Sequence, residues 1–366
     1  MNILIFIVIL LVLVLVHEAG HFFTAKGFGI RVDEFGFGFP PKLFGKKYGE
    51  TEYSINALPF GGFVKIYGED PNEENINGPD AGRSLVNKPK WKQAIVLFAG
   101  IFANFLLAWL LLSFGFMSGL PTSVGSEPNG YTLKDVHLVV VSVGDKSPAE
   151  IAGLKSGDKI ISIISNKDSV SDINPDTLKS FIVSHPNKEI DIGYTRGKDP
   201  NIYTAKVIPK VEISDGKPMI GIAMDQIGTA KLPILQAFWE GMKLDWFVVK
   251  GTVVGLYTLI AQSLHGKANL SEVTGPVGMV GIVGDAYKFG FAYLLSFAAL
   301  ISVNLAIINL IPFPALDGGR LFFLLIEKIK GSRINPKVAN MANMIGFGIL
   351  IALMLLVTYH DIIKLF

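Results

Sequence analysis

The chain has 366 residues, of which 50% are hydrophobic and 17% charged, with a mean hydropathy of +0.45. Soluble domains carry nearer 25% charged residues, so the composition argues against an ordinary water-soluble enzyme and for a membrane protein. A net charge of +2 gives no electrostatic reason to expect nucleic acid, and zero cysteines exclude a disulfide scaffold, a thiol nucleophile and any thiolate metal site. A metal, if one is bound, must be held by His, Asp or Glu.

Four segments are apolar enough to cross a hydrocarbon core of roughly 30 Å, which takes about 20 helical residues. They are 1–25, 94–117, 289–311 and 341–359. The first lacks the basic start and small-residue cleavage site of a signal peptide, so it reads as a retained span. Lys and Arg crowd the link from Lys26 to Lys92 and the link from Arg320 to Lys337, whereas the tail, 360–366, carries only Lys364. By the positive-inside rule both basic links are cytoplasmic, and both termini and the long region between the second and third spans are extracytoplasmic.

Within the first basic link, 26–93, Phe35-Gly36-Phe37-Gly38-Phe39-Pro40-Pro41 cannot be helical. Thr51 to Ile66 alternates loosely around Pro59-Phe60-Gly61-Gly62, which predicts a β-hairpin with a Pro/Gly tip. The hairpin either packs on itself in the cytoplasm or dips into the membrane beside protein or a wet cavity. Glu69 to Asn77 reads as a polar loop.

From 118 to 224 the chain reads as a soluble α/β module, with strands expected near Val139–Val141, Lys159–Ile163, Ile190–Tyr194 and Thr204–Ile208. Ser147-Pro148-Ala149-Glu150 has the serine N-cap, the proline at the first helical position and the early glutamate of a helix start. The run from Ser147 to Ile163 resembles bacterial PDZ domains, a family that adds a peptide to a sheet edge. Residues 225–288 read as an amphipathic segment, its helix pattern from Leu235 to Leu264 suited to the membrane interface.

His17-Glu18-Ala19-Gly20-His21 is an H-E-x-x-H motif at the end of the first span. On a helix the two histidines share one face and can bind one Zn²⁺, with Glu18 placed to act on water there. Ionisable side chains inside a span are costly, which favours function over chance. A catalytic zinc takes three protein ligands, and the remaining histidines, 137, 185, 265 and 360, fall on the far side of the membrane. A carboxylate is therefore expected, and Asp317, in the 312–340 link just past Pro312 and Pro314, matches in depth and side. The alternative is that Asp317 caps a helix starting at Arg320.

With these motifs on the page, the chain resembles the site-2 proteases of the RseP type, intramembrane zinc metalloproteases that cleave transmembrane anti-sigma factors. His17-Glu18-x-x-His21, Gly61-Gly62-Phe63-Val64-Lys65, the PDZ-like module, Ala99-Gly100 with Asn104, and Asn304 through Gly319 carry the resemblance. It implies a polytopic α-helical membrane protein with a membrane-associated β-hairpin and an inserted extracytoplasmic PDZ-like domain, in the inner membrane of a bacterium. It further implies zinc on His17, His21 and Asp317, Glu18 as catalytic acid and base, and a single-pass transmembrane substrate such as an anti-sigma factor. The family's substrate-contacting asparagine falls on Asn309. Asn304 joins it as a substrate contact or, like Asn309, as an interhelical hydrogen-bonding group. Several relatives carry two PDZ modules, and this chain has room for one. A metal-dependent transporter and a non-catalytic PDZ scaffold are the rival readings.

Overall fold

The computed structural model describes residues 1–366 except 71, 167, 198, 212–216, 266–273 and 364–366. Lys364, and the side chains of Pro59 and Phe60 at the expected hairpin tip, lie outside the described residues. The principal helices are α1 (Asn2–Gly27), α2 (Lys90–Ser118), α3 (Pro175–Ser184), α4 (Ile234–Leu264), α5 (Pro276–Phe289), α6 (Phe291–Leu310), α7 (Asp317–Lys330) and α8 (Pro336–Ile363). The principal strands are β1 (Val32–Tyr48), β2 (Thr51–Ile66), β3 (Leu120–Ser123), β4 (Lys134–Val143), β5 (Asp158–Ser165), β6 (Ile190–Arg196), β7 (Tyr203–Val207) and β8 (Ile222–Ala230). The chain divides into two compact units, residues 1–112 with 241–284 and 297–366, and residues 113–240 with 285–296.

Among the described residues five helices are long and apolar enough to cross a membrane: α1, α2, α4, α6 and α8. The sequence reading expects four; by length and composition α4 is a further candidate. Its Glu240, Lys243 and Asp245 gather near the start, between Trp239 and Trp246, and leave only Lys250 as a charge from Phe247 to Ser263. Clustered charges make the whole helix read as amphipathic, while its second half is as apolar as a span needs. On α8, Met344, Phe347, Ile351 and Leu355 recur every three or four residues and are all exposed. A stripe of that kind suits lipid rather than water, as expected of a multi-pass membrane protein.

In the first unit, Phe22, Ala25, Val64, Ile66 and Val96 share one core, so α1, α2 and β2 pack together. The β-hairpin is larger than the sequence suggests. The two halves of Thr51 to Ile66 do not pair with each other: 51–56 and 62–66 run in opposite directions along the two edges of Glu34 to Phe37, and a further turn at Gly49-Glu50 sets Tyr48 opposite Thr51. Gly61-Gly62 sits inside β2, where Phe35 of β1 is flanked by Val64 on one side and Tyr53 on the other. The chain thus reverses between Asn56 and Gly62, where the Pro/Gly turn signal stands, with β1 lying between the two arms. At the turn, Glu50 accepts from Lys26 Nζ and Arg83 Nη2, both at 2.5 Å, which holds its carboxyl below the usual range. The expected polar loop after β2 contains a short helix, Glu73–Asn77, closed by a reciprocal cap between Asn72 and Asn75.

The second unit is built on a seven-stranded sheet in the order β3-β8-β4-β5-β6-β7, with Asp168–Ser169 pairing onto β5. Its core comprises Leu138, Val140, Leu154, Ile160, Ile163, Leu178, Ile190 and Ile192, among others. The helix Pro148–Ile151 starts as expected, Ser147 Oγ accepting from the Glu150 N–H at 3.2 Å, and Asn174 caps α3 in the same way. β8 runs on to Ala230, into the stretch read as amphipathic. Its Met, Asp, Gln and Gly are poor strand formers, and pairing with both β3 and β4 makes the strand.

Asp158, fully buried, accepts from Arg196 Nε at 2.6 Å, from Arg196 Nη2 at 2.7 Å and from the Lys155 N–H at 2.8 Å. Asp158→Ala leaves these donors unpaired, and a loss of roughly 1.5–3 kcal/mol is expected, the scale of hydrogen bonds to a charged group. Thermal unfolding of the full chain in detergent measures it, and an unchanged transition would contradict this account.

Candidate metal centre

The last turns of α1 carry His17 and His21 one turn apart, so both rings leave the same face. Both are buried, at 7% and 5% exposure. The Val96 carbonyl lies 2.8 Å from His21 Nδ1, which must then carry the proton and leave the Nε2 lone pair free. The Asn104 amide lies 3.2 Å from His17 Nδ1 and is itself fully buried.

Asp317 arrives from the far end of the chain. After α6 ends at Leu310, Pro312 and Pro314 prevent the helix from continuing. Ala315 takes a left-handed backbone, φ +76°, a conformation that costs roughly 1–2 kcal/mol. Its N–H donates to Asn343 Oδ1 of α8 at 3.2 Å, which offsets part of that cost. α7 then begins at Asp317 itself, with Leu316 at the N-cap and no side-chain cap bond. This replaces the reading of Asp317 as a cap for a helix starting at Arg320. Gly318 is required by packing, because a Cβ there would run into the Leu310 and Ile311 carbonyl oxygens. One turn further on, Arg320 is ion-paired with Glu69 and lies 3.7 Å from Asp70, tying α7 to the chain that follows β2.

His17 Nε2 and His21 Nε2 are 3.2 Å apart and lie 3.0 and 3.3 Å from Asp317 Oδ2. Four ligands at roughly 2.0–2.1 Å around a tetrahedral zinc stand about 3.3 Å from one another. The three atoms therefore match the spacing of three corners, with a fourth left for water or substrate. Asp317 Oδ2 is buried with no hydrogen-bond partner of acceptable geometry, as fits an oxygen meant for a cation. Glu18, half-buried, lies beside β2, with its carboxylate near the Val64 backbone and Gly62 next to Val14 and Glu18. The site thus sits between α1, α2, the α6–α7 connection and one strand of the hairpin.

Two other expected site residues fare differently. Asn304 accepts from Thr252 Oγ1 of α4 at 3.1 Å, an interhelical bond that occupies the side chain. Asn309, half-buried one residue before the end of α6, makes no side-chain hydrogen bond among the described residues. Asn343 was not anticipated from the sequence, because its partner is a main-chain group at a position only the folded chain defines.

The family model of peptidase family M50 matches residues 5–353. The chain belongs to peptidase family M50. A Clostridium perfringens protein named as a zinc metalloprotease is 38% identical over 352 residues, covering 96% of this chain and 95% of its own. The regulator of sigma-W protease RasP of Bacillus subtilis is 32% identical over 438 residues, covering 99% of this chain and 98% of its own. A solved PDZ domain of an SdrC-like protein from Listeria monocytogenes is 25% identical and covers 26% of this chain and 93% of that one, with a TM-score of 0.21. This M50 chain is accordingly a zinc metalloprotease of the site-2 type.

Asn343→Ala removes the acceptor that holds the Ala315 N–H. The expected result is a loss of about 1–3 kcal/mol, with zinc content reduced because the Asp317 turn is released. Unfolding temperature and metal analysis of the purified chain report both, and wild-type values would show that Asn343 does not hold the turn.

Proposed function

We propose that this M50 chain hydrolyses a peptide bond within the transmembrane segment of a single-pass membrane protein, with zinc held by His17, His21 and Asp317. The observation that carries the proposal is the convergence of the two Nε2 atoms and Asp317 Oδ2 to within 3.0–3.3 Å, from opposite ends of the chain. Zinc bound there supplies Lewis acidity, lowering the pKa of water toward ~7 and polarising a carbonyl.

Glu18 is the group that moves the protons. Its carboxylate stands next to His17 in sequence, beside the Val64 backbone, and it takes a proton from the attacking water and returns one to the departing amine. Burial of the site keeps bulk water away from the exchange.

A helical substrate has its carbonyls tied up in its own hydrogen bonds and must open before it can react. The 62–66 part of β2, beside Glu18, offers backbone groups to which an opened segment adds as a strand. Asn309, whose side chain is uncommitted among the described residues, holds that segment from the α6 side. Asn304, bonded to Thr252, serves packing instead.

An anti-sigma factor with one membrane span is the substrate of this reading, which is supported by a relative whose name refers to sigma-W regulation. The distribution of Lys and Arg sets the site toward the cytoplasmic face of a bacterial inner membrane and the PDZ-like domain on the extracytoplasmic side. There the domain screens substrates, admitting those whose outer part has been removed.

Glu18→Gln is the deciding variant. It keeps shape and should keep zinc at wild-type stoichiometry, while cleavage of a model transmembrane peptide falls by several orders of magnitude. Retained cleavage would remove Glu18 from the mechanism, and loss of zinc would mean that the side chain belongs to the ligand set.

A further inference from the structure

On α2, Val96, Gly100 and Asn104 stand one turn apart on one face, the same interval that separates His21 from His17 on α1. Each meets a histidine. The Val96 carbonyl takes His21 Nδ1 at 2.8 Å. Gly100 lies under the His21 ring, where any Cβ would run into Nε2. Asn104 reaches His17 Nδ1 at 3.2 Å. Its own carbonyl accepts from Ser302 Oγ at 2.8 Å, so α6 pins the α2 backbone at that point. Asn104 and Ser302 are both fully buried.

One detail of this contact is unbalanced. The Asn104 amide nitrogen faces His17 Nδ1, while Oδ1 is buried with no hydrogen-bond partner. Ligation through His17 Nε2 requires the ring proton on Nδ1, and that proton needs an acceptor. A half-turn of the amide puts Oδ1 where Nδ2 stands and meets both needs at once. We propose that Asn104 is a positioning residue for His17, its side-chain oxygen accepting the Nδ1 proton so that Nε2 faces the metal. Val96 does the same for His21 through its main chain. The two helix-borne ligands are then oriented from one face of α2, one by a backbone oxygen no substitution removes and the other by a side chain that can be replaced. This inference rests on His17, His21 and Asp317 being the ligands.

The test uses the full chain in detergent with Co²⁺ as the probe, reading affinity by competition with a chelator together with the ligand-field absorption spectrum. Asn104→Leu, close in volume but without an acceptor, is expected to weaken Co²⁺ binding about 10–100-fold and to shift the spectrum. Asn104→Asp keeps an acceptor and is expected to leave both as in the wild type. Should the leucine variant fail to fold, Asn104→Ser, whose hydroxyl ends short of the ring, replaces it with the same expected loss. Unfolding temperatures taken with excess chelator separate a general loss of stability from a loss of metal affinity. Wild-type Co²⁺ affinity in the leucine or serine variant, or an equal loss in the aspartate variant, overturns the assignment. His17→Ala reports separately on the ligand set: wild-type Co²⁺ binding there removes the set and this inference with it. Loss of Co²⁺ there, alongside wild-type binding in Asn104→Leu, removes the Asn104 role alone.

Discussion

Two imidazole nitrogens and a carboxylate oxygen within 3.0–3.3 Å of one another, in a buried setting, are an arrangement with a strong demand for positive charge. Each atom brings electron density toward the same point, and without a cation or shared protons there the grouping would be costly in a low-dielectric interior. Much of the first unit can be understood as the structure needed to hold these atoms against that cost. Helical spacing provides the histidine pair, a bond from His21 to the α2 backbone sets one ring, and a broken helix delivers the carboxylate.

The connection from α6 to α7 is irregular backbone that follows directly on a helix long and apolar enough to span a membrane. Inside a bilayer such backbone is tolerated only when its polar groups are satisfied by protein or by a wet cavity. Residues 311–316 meet that condition with short internal bonds, Phe313 N–H to the Ile311 carbonyl and Leu316 N–H to the Phe313 carbonyl, and with the bond from Ala315 to Asn343. The ion pair of Arg320 with Glu69, and that of Lys90 with Glu327, then fasten α7 at its start and near its end. Asp317 is thus held through several independent anchors, which is how a side chain on an otherwise irregular segment can be positioned to within tenths of an ångström.

Legibility in the sequence followed the range of the interactions involved. His17, Glu18 and His21 were readable because one helical turn brings them together, and Ser147-Pro148 because a cap is a matter of four residues. The hairpin was legible only in part: the chain does turn back between Asn56 and Gly62, but its two arms pair with β1, which lies between them, and not with each other. The same blindness left α4, legible as a helix from Leu235 to Leu264, out of the candidate spans, because averaging mixed a charged beginning with an apolar remainder, and it hid β8, whose weak strand formers are ordered by neighbours distant in sequence. The resemblance had already set Asn309 apart from Asn304 as the substrate-contacting position, and the bond from Thr252 adds that the Asn304 side chain is occupied.

Local chemistry therefore settled a good deal from sequence alone: a membrane-embedded chain, a histidine pair with an adjoining glutamate, an α/β module between spans, and a broken helix ahead of Asp317. Tertiary structure decided the rest. It brought Asp317 to the histidines, put the β2 backbone against Glu18, gave Asn104 and Asn343 their partners, and laid β1 between the arms of the hairpin. The division has a plain physical cause. Helical periodicity, caps and proline breaks act within a few residues, whereas a donor set gathered from both ends of the chain depends on the packing of helices, and no local pattern encodes which atoms that packing will bring within 3 Å.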